Sequence, residues 1–179
     1  MSLNINEMIG EHFKLKHLIY SSTAGLYNIN NIPGIDNNPS QTEVIENLRE
    51  LMINVVDKVI NKWPTLIIKS AYRCLALNAK MGGSPTSQHI FGQAVDLQVP
   101  GVRSAEVYNY IYYNVGVWDQ LIWKFPEKGP ESWVYVSYTI NKPRIKTTLA
   151  SDIPKNHKIY NKKESTEQHT HNLGPIKLL

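Results

Sequence analysis

Cysteine is almost absent: Cys74 is the single one in 179 residues, so no intramolecular disulfide can form and the fold must rest on packing or a bound metal. Cys74 itself reads as a small buried hydrophobe. No apolar run reaches the length of a bilayer-spanning helix, so no membrane partner is expected. The opening residues, Met1-Ser2-Leu3-Asn4-Ile5-Asn6-Glu7, lack the basic start and apolar stretch of a secretory signal, and none is expected. Concentrated charge is missing too. The formal net charge of +4 is carried by scattered lysines, with no basic patch interleaved with aromatics, which speaks against nucleic acid as a partner. No internal repeat is visible.

What is present suits one ordinary domain with a sizeable core. Asn28 to Pro39 is dense in Asn, Pro and Gly and reads as a loop. It runs into a helix start, with Ser40 as N-cap and Glu43 completing a capping box. Apolar residues at Val44, Leu48, Leu51, Val55, Val59 and Trp63 then follow one helical face until Pro64 stops it. A strand over Thr65 to Lys69, a short helix from Leu75 to Lys80 closed by Gly82-Gly83, and an alternating strand from Gln93 to Val99 come next. In that last strand Ala94, Asp96 and Gln98 share one face. Ser104 is expected to cap a helix running to the region of Asn114, and strands are expected at Trp118 to Trp123 and Trp133 to Tyr138. This order implies an α+β domain over residues 1–150, with a small antiparallel sheet flanked by helices. Past Ala150 the periodicity fades. The polar segment 151–179 is expected to be an extension that contacts a partner or the domain body.

The residues best placed for chemistry are His89 and, seven positions on, Asp96. Both are good zinc ligands, and a catalytic zinc wants three protein ligands and one open position for water. Taken alone, such a pair equally well satisfies local hydrogen bonds. The surroundings sharpen the reading. Ser70-Ala71-Tyr72-Arg73, Asn78, Gly82-Gly83-Ser84, Ser87-Gln88-His89, Gly92, Ala94 and Asp96 together resemble the zinc D-alanyl-D-alanine carboxypeptidases of phages and bacteria. That family shares its fold with Hedgehog signalling domains. The likeness takes in Ser21 to Ala24 and Gly34 to Pro39 upstream, Asp119 to Ile122 and Trp133 to Tyr138 downstream, and covers Phe13 to Leu149.

The resemblance implies roles. His89 and Asp96 match two zinc ligands, Ser87 borders the pocket, and Arg73 matches an arginine that holds a substrate carboxylate, a task suited to a guanidinium fork. A surface salt bridge is the plainer alternative for Arg73. The third ligand of the family is a histidine between Trp and Ser in the closing strand; here that position holds Tyr135, whose neutral phenol is a poor zinc ligand. Relatives also carry an acidic residue after the Asp-Gln-Leu-Ile run, where this chain has Trp123-Lys124. Glu131, or Glu127, is the candidate replacement for the carboxylate that takes a proton from metal-bound water, unless each is an ordinary loop glutamate. His157, His169 and His171 could reach back from the tail, while His12 and His17 lie outside every motif.

Two functions follow. In one, zinc is bound and the protein cleaves peptidoglycan stem peptides. In the other, the site is degenerate, no cofactor is held, and the protein is a structural or binding component among other virion proteins. The resemblance places it in a virion, or in host cytoplasm before release.

Overall fold

A computed structural model describes residues 3–140, 144–150 and 159–161, and its core is built around the longest apolar stripe of the sequence. A hairpin of β1 (Met8–Ile9) and β2 (Phe13–Lys14) leads through α1 (Leu15–Ile19) and α2 (Ser22–Leu26) to α3 (Gln41–Leu51). Ser40 Oγ accepts from the Glu43 N–H at 3.2 Å, as a cap should. A π-helical turn, Met52–Val56, joins α3 to α4 (Asp57–Lys62). The extra residue in that turn keeps Met52, Val55, Val56 and Val59 buried with Val44, Leu48 and Leu51. The helix then ends ahead of Pro64, because the residue before a proline is pushed out of the helical region.

The remaining elements are β3 (Ile67–Ser70), α5 (Leu75–Lys80), β4 (Ala94–Gln98), α6 (Ser104–Tyr110), β5 (Gln120–Lys124), β6 (Trp133–Ser137), β7 (Lys146–Ala150) and β8 (Ile159–Asn161). The last six strands form one sheet, ordered β3-β4-β6-β5-β7-β8. Its back face, with Val95, Leu97, Leu121, Val134 and Val136, joins the helical stripe in one hydrophobic cluster. Its front face carries Asp96, Trp133, Tyr135, Ile122 and Lys124 onto a cavity. Among the described residues, no helix is long and apolar enough to cross a membrane.

Two expectations need correction. The sheet is mixed rather than antiparallel, because β5 and β7 pair in parallel, Gln120 opposite Lys146. The cause is topological. β6 runs antiparallel to β5 and ends beside its start, so a strand added to the other edge of β5 from that end must run with it. Ser104 is the first helical residue, not the cap; Arg103 holds the cap position, and Ser104 Oγ donates to the Ser132 carbonyl at 2.7 Å. A second π-helical turn, Ile111–Val115, continues α6 to the expected end. Ile159–Asn161, within the segment 151–179, pairs with β7.

The loop that enters β4 depends on one glycine. Gly92 has φ +70°, and a Cβ there would lie 2.7 Å from the Val44 carbonyl oxygen. A left-handed conformation costs an L-residue on the order of 1 kcal/mol before any clash. Gly92→Ala is therefore expected to lower the unfolding free energy by at least about 2 kcal/mol in urea titrations; a loss below about 0.5 kcal/mol would contradict the close approach.

Candidate functional site

Three segments deliver the central residues. β3 pairs with β4 so that Ser70 stands opposite Asp96, with an irregular step between Ile68 and Ser70. The chain leaving β3 brings in Arg73, whose backbone N–H donates to the His89 carbonyl at 3.1 Å. His89 sits on a run of tight turns between Ser84 and Gln93, closed by the Gly92 N–H on the His89 carbonyl at 3.3 Å. The loop is pinned to α5 by Asn78, whose Nδ2 donates to the Ser84 carbonyl at 2.8 Å. A side chain at Gly83 would collide with that amide, its Cβ falling 2.2 Å from Asn78 Oδ1.

His89 and Asp96 do converge. His89 Nε2 and Asp96 Oδ2 are 3.4 Å apart, and His89 is 3% exposed. His89 Nδ1 lies 2.6 Å from the Ala71 carbonyl, a contact in which Nδ1–H donates and which turns Nε2 toward the cavity. What meets Nε2 there is Arg73. One terminal nitrogen of the guanidinium lies 2.8 Å from Asp96 Oδ2 and 3.1 Å from His89 Nε2, while Nε donates to Ser70 Oγ at 2.8 Å. Trp133 Nε1 donates to Asp96 Oδ1 at 3.0 Å. Burial pushes the Asp96 carboxyl up, but His89, Arg73 and Trp133 more than offset this and hold it below the usual carboxylate range. Burial also draws the Arg73 pKa down, yet a guanidinium remains charged.

Tyr135 stands opposite Asp96 in the β4–β6 register, and its ring meets His89 edge-on at 5.4 Å. Its hydroxyl points away from the pair and donates to Gln88 Oε1 at 3.2 Å. Burial raises the phenol well above its ordinary value, so it stays protonated. Gln88 Oε1 also accepts from Gln120 Nε2 at 2.7 Å and from Arg144 at 2.9 Å, while Gln88 Nε2 donates to Asp119 Oδ2 at 2.7 Å. Arg144 closes the network, with its backbone N–H 2.6 Å and a terminal nitrogen 2.5 Å from the Asp119 carboxylate. Sequence reasoning gave none of Gln88, Gln120 or Arg144 a role. Gln88 and Gln120 lay inside quoted motifs; Arg144 carried no signal.

Arg73, Gln88, His89, Asp96, Gln120, Trp133, Tyr135 and Arg144 line a cavity of about 800 Å³ that also takes in Ser87. Asp96 is the one acidic residue among the described residues that line it. Glu131 and Glu127 are exposed in the turn Pro126–Glu131 and lie outside the lining. Phe125, left-handed at φ +52°, stacks against Trp133 at 5.0 Å as the chain enters that turn. His12 bonds Asn61 and His17 bonds the Lys14 backbone, both away from the cavity. His157, His169 and His171 lie outside the described residues.

A family model described as Peptidase M15 matches residues 11–125, nearly two thirds of the chain. The chain belongs to the Peptidase M15 family. M15 is a zinc carboxypeptidase family acting on peptides, and the match takes in Arg73, His89 and Asp96 but stops short of β6 and Tyr135. No curated protein matches the chain.

Zinc, typical of M15 peptidases, would need three ligand-type side chains around one point. Among the described residues no three His, Cys, Asp or Glu side chains converge. The two donors that do meet already share a guanidinium, and the facing strand offers a protonated phenol turned elsewhere. A three-ligand zinc does not fit this set.

Asp119 gives the site a pH signature. Burial raises its carboxyl, but the hydrogen bonds from Arg144 and Gln88 outweigh that and hold it below its ordinary range. The folded state thus binds fewer protons than the unfolded chain. This stabilisation is complete above about pH 4 and is lost as pH falls through the folded value. Asp119→Asn is expected to cost about 2 kcal/mol at neutral pH, with the gap to the parent narrowing below about pH 4. Urea titrations across pH check this, and a gap constant to about pH 2 would contradict it.

Proposed function

We propose that this M15-family chain is catalytically degenerate and serves as a binding or structural component, of a phage particle on the family likeness, rather than as a zinc peptidase. The observation that carries this reading is the Arg73 guanidinium seated on both His89 Nε2 and Asp96 Oδ2. A hydrolytic zinc needs three ligands, an open position and a carboxylate to take the proton from its water. Here two ligand-type side chains are occupied by an internal cation. The strand pair that faces them, β5 and β6, presents Lys124 and Tyr135. A lysine ammonium cannot accept a proton, and a buried neutral phenol is no base near neutral pH. Both departures fall on one face of one strand pair, which fits a single relaxation of catalytic demand.

The remaining apparatus suits recognition. The cavity is walled by Trp133 and Tyr135, rimmed by cations, and kept in shape by the Gln88–Asp119–Arg144 network. A fold can keep such a pocket while its chemistry is lost.

Metal content and turnover test the reading together. Purified protein, exchanged against zinc and then desalted, is expected to retain less than about 0.1 zinc per chain, well below a three-ligand site. It is also expected to release no D-alanine from a D-alanyl-D-alanine stem peptide. Zinc retained at about one per chain, with D-alanine released, would establish the peptidase instead. Tyr135→His, which restores a ligand-type side chain, is expected to raise zinc retention above the parent's.

A further inference from the structure

The cavity wall carries four cations, and they are not equivalent. Arg73 is neutralised by Asp96 at 2.8 Å, and Arg144 by Asp119 at 2.5 Å. Lys69 and Lys124 have no acidic partner among the described residues. Lys69 Nζ lies over the Trp133 ring at 5.5 Å and reaches Gln98 Oε1 at 3.4 Å. Lys124 Nζ lies over the Tyr135 ring at 5.6 Å. Each ammonium is held against the face of an aromatic ring, an attraction that fixes its place without cancelling its charge. Among the described residues, the pocket is therefore left with two positive charges and no anion for them.

Their placement says what kind of anion would balance them. Lys69 is on β3 and Lys124 on β5, with β4 and β6 between, so their backbones are three strand spacings apart, roughly 14 Å. Each leans inward over a different ring of β6. The two ammoniums thus stand against successive rings of one aromatic strip. A ligand with two separated negative groups and an uncharged middle fits both points at once. An extended peptide advances about 3.3 Å per residue, so carboxylates two or three residues apart stand about 7–10 Å from one another, within the roughly 14 Å between the two strands.

We infer that the cavity binds an acidic peptide carrying two carboxylates, one held by Lys69 and the other by Lys124, with the intervening residues laid across Trp133 and Tyr135. This rests on the reading of the site as a binding pocket. Nothing in it uses a metal or the pair His89 and Asp96.

The probe is N-acetyl-Glu-Ala-Ala-Glu-amide, compared by calorimetric titration with its two single-Gln versions and its double-Gln version, all with chelator present. The two-carboxylate peptide is expected to bind about tenfold more tightly than either single-Gln peptide at low salt, and to lose most of that margin at high salt. Lys69→Gln and Lys124→Gln are each expected to reduce the margin to about twofold or less while leaving the thermal unfolding temperature unchanged. Equal affinity for all four peptides, or a margin that survives both substitutions, would overturn the inference. Inorganic phosphate or a short oligothymidylate binding as tightly as the acidic peptide would overturn it in favour of a general anion site. Retained zinc with peptide cleavage, measured without chelator, would sink the degenerate reading but leave the charge preference to stand on these titrations.

Discussion

A single guanidinium organises this site. Arg73 arrives from the end of β3, and with one nitrogen it meets the imidazole of the His89 loop and the carboxylate of β4. Each of those groups, buried alone, would be costly. An ionised carboxylate out of water needs a partner, and stripping one partner from such a pair typically costs about 3–5 kcal/mol. Ser70 Oγ fixes the guanidinium from behind, and Trp133 Nε1 takes the second carboxylate oxygen. Every strong polar contact of Asp96 is thereby made within the protein. Any metal ion entering here would have to displace a cation the fold already supplies.

The second constraint lies at the other end of the same face. Asp119 begins the turn into β5, and its carboxylate holds Arg144 just before β7, so one ion pair secures the crossover that makes the sheet mixed. Gln88 extends that pair to Tyr135 and Gln120. Tyr135 is consequently part of the scaffold: its hydroxyl serves the amide of Gln88, and its ring supports His89 and Lys124. A phenol so employed stays protonated, with its hydroxyl committed to Gln88. With its own interior charges settled, the pocket is left with the two lysines at its edges.

Local pattern carried much of this into the sequence. The Ser40 cap, the stripe from Val44 to Val59, α5 and the facing of Asp96 were legible because capping, the helical period and strand alternation are written within a few residues. The family-like run from Ser70 to Asp96 gave the meeting of His89 with Asp96. The hidden parts are non-local. Arg144 sits in a stretch with no motif, and its partner is 25 residues away in sequence. The parallel pairing of β7 follows from where β6 ends, which no window of sequence reports. The resemblance implies that Arg73 holds a substrate carboxylate and leaves a salt bridge as the plainer alternative; in the structure its guanidinium lies on Asp96 and His89. Spacing places a side chain near a pocket but does not say which charge it answers.

On the reading proposed above, the Arg73 guanidinium stands where a metal would otherwise be held. Anomalous diffraction at the zinc edge, from crystals grown with excess zinc, addresses it directly. The account predicts no peak between His89 and Asp96, with the guanidinium still on both. A peak about 2.0–2.2 Å from His89 Nε2 and Asp96 Oδ2, with Arg73 swung aside, would contradict it.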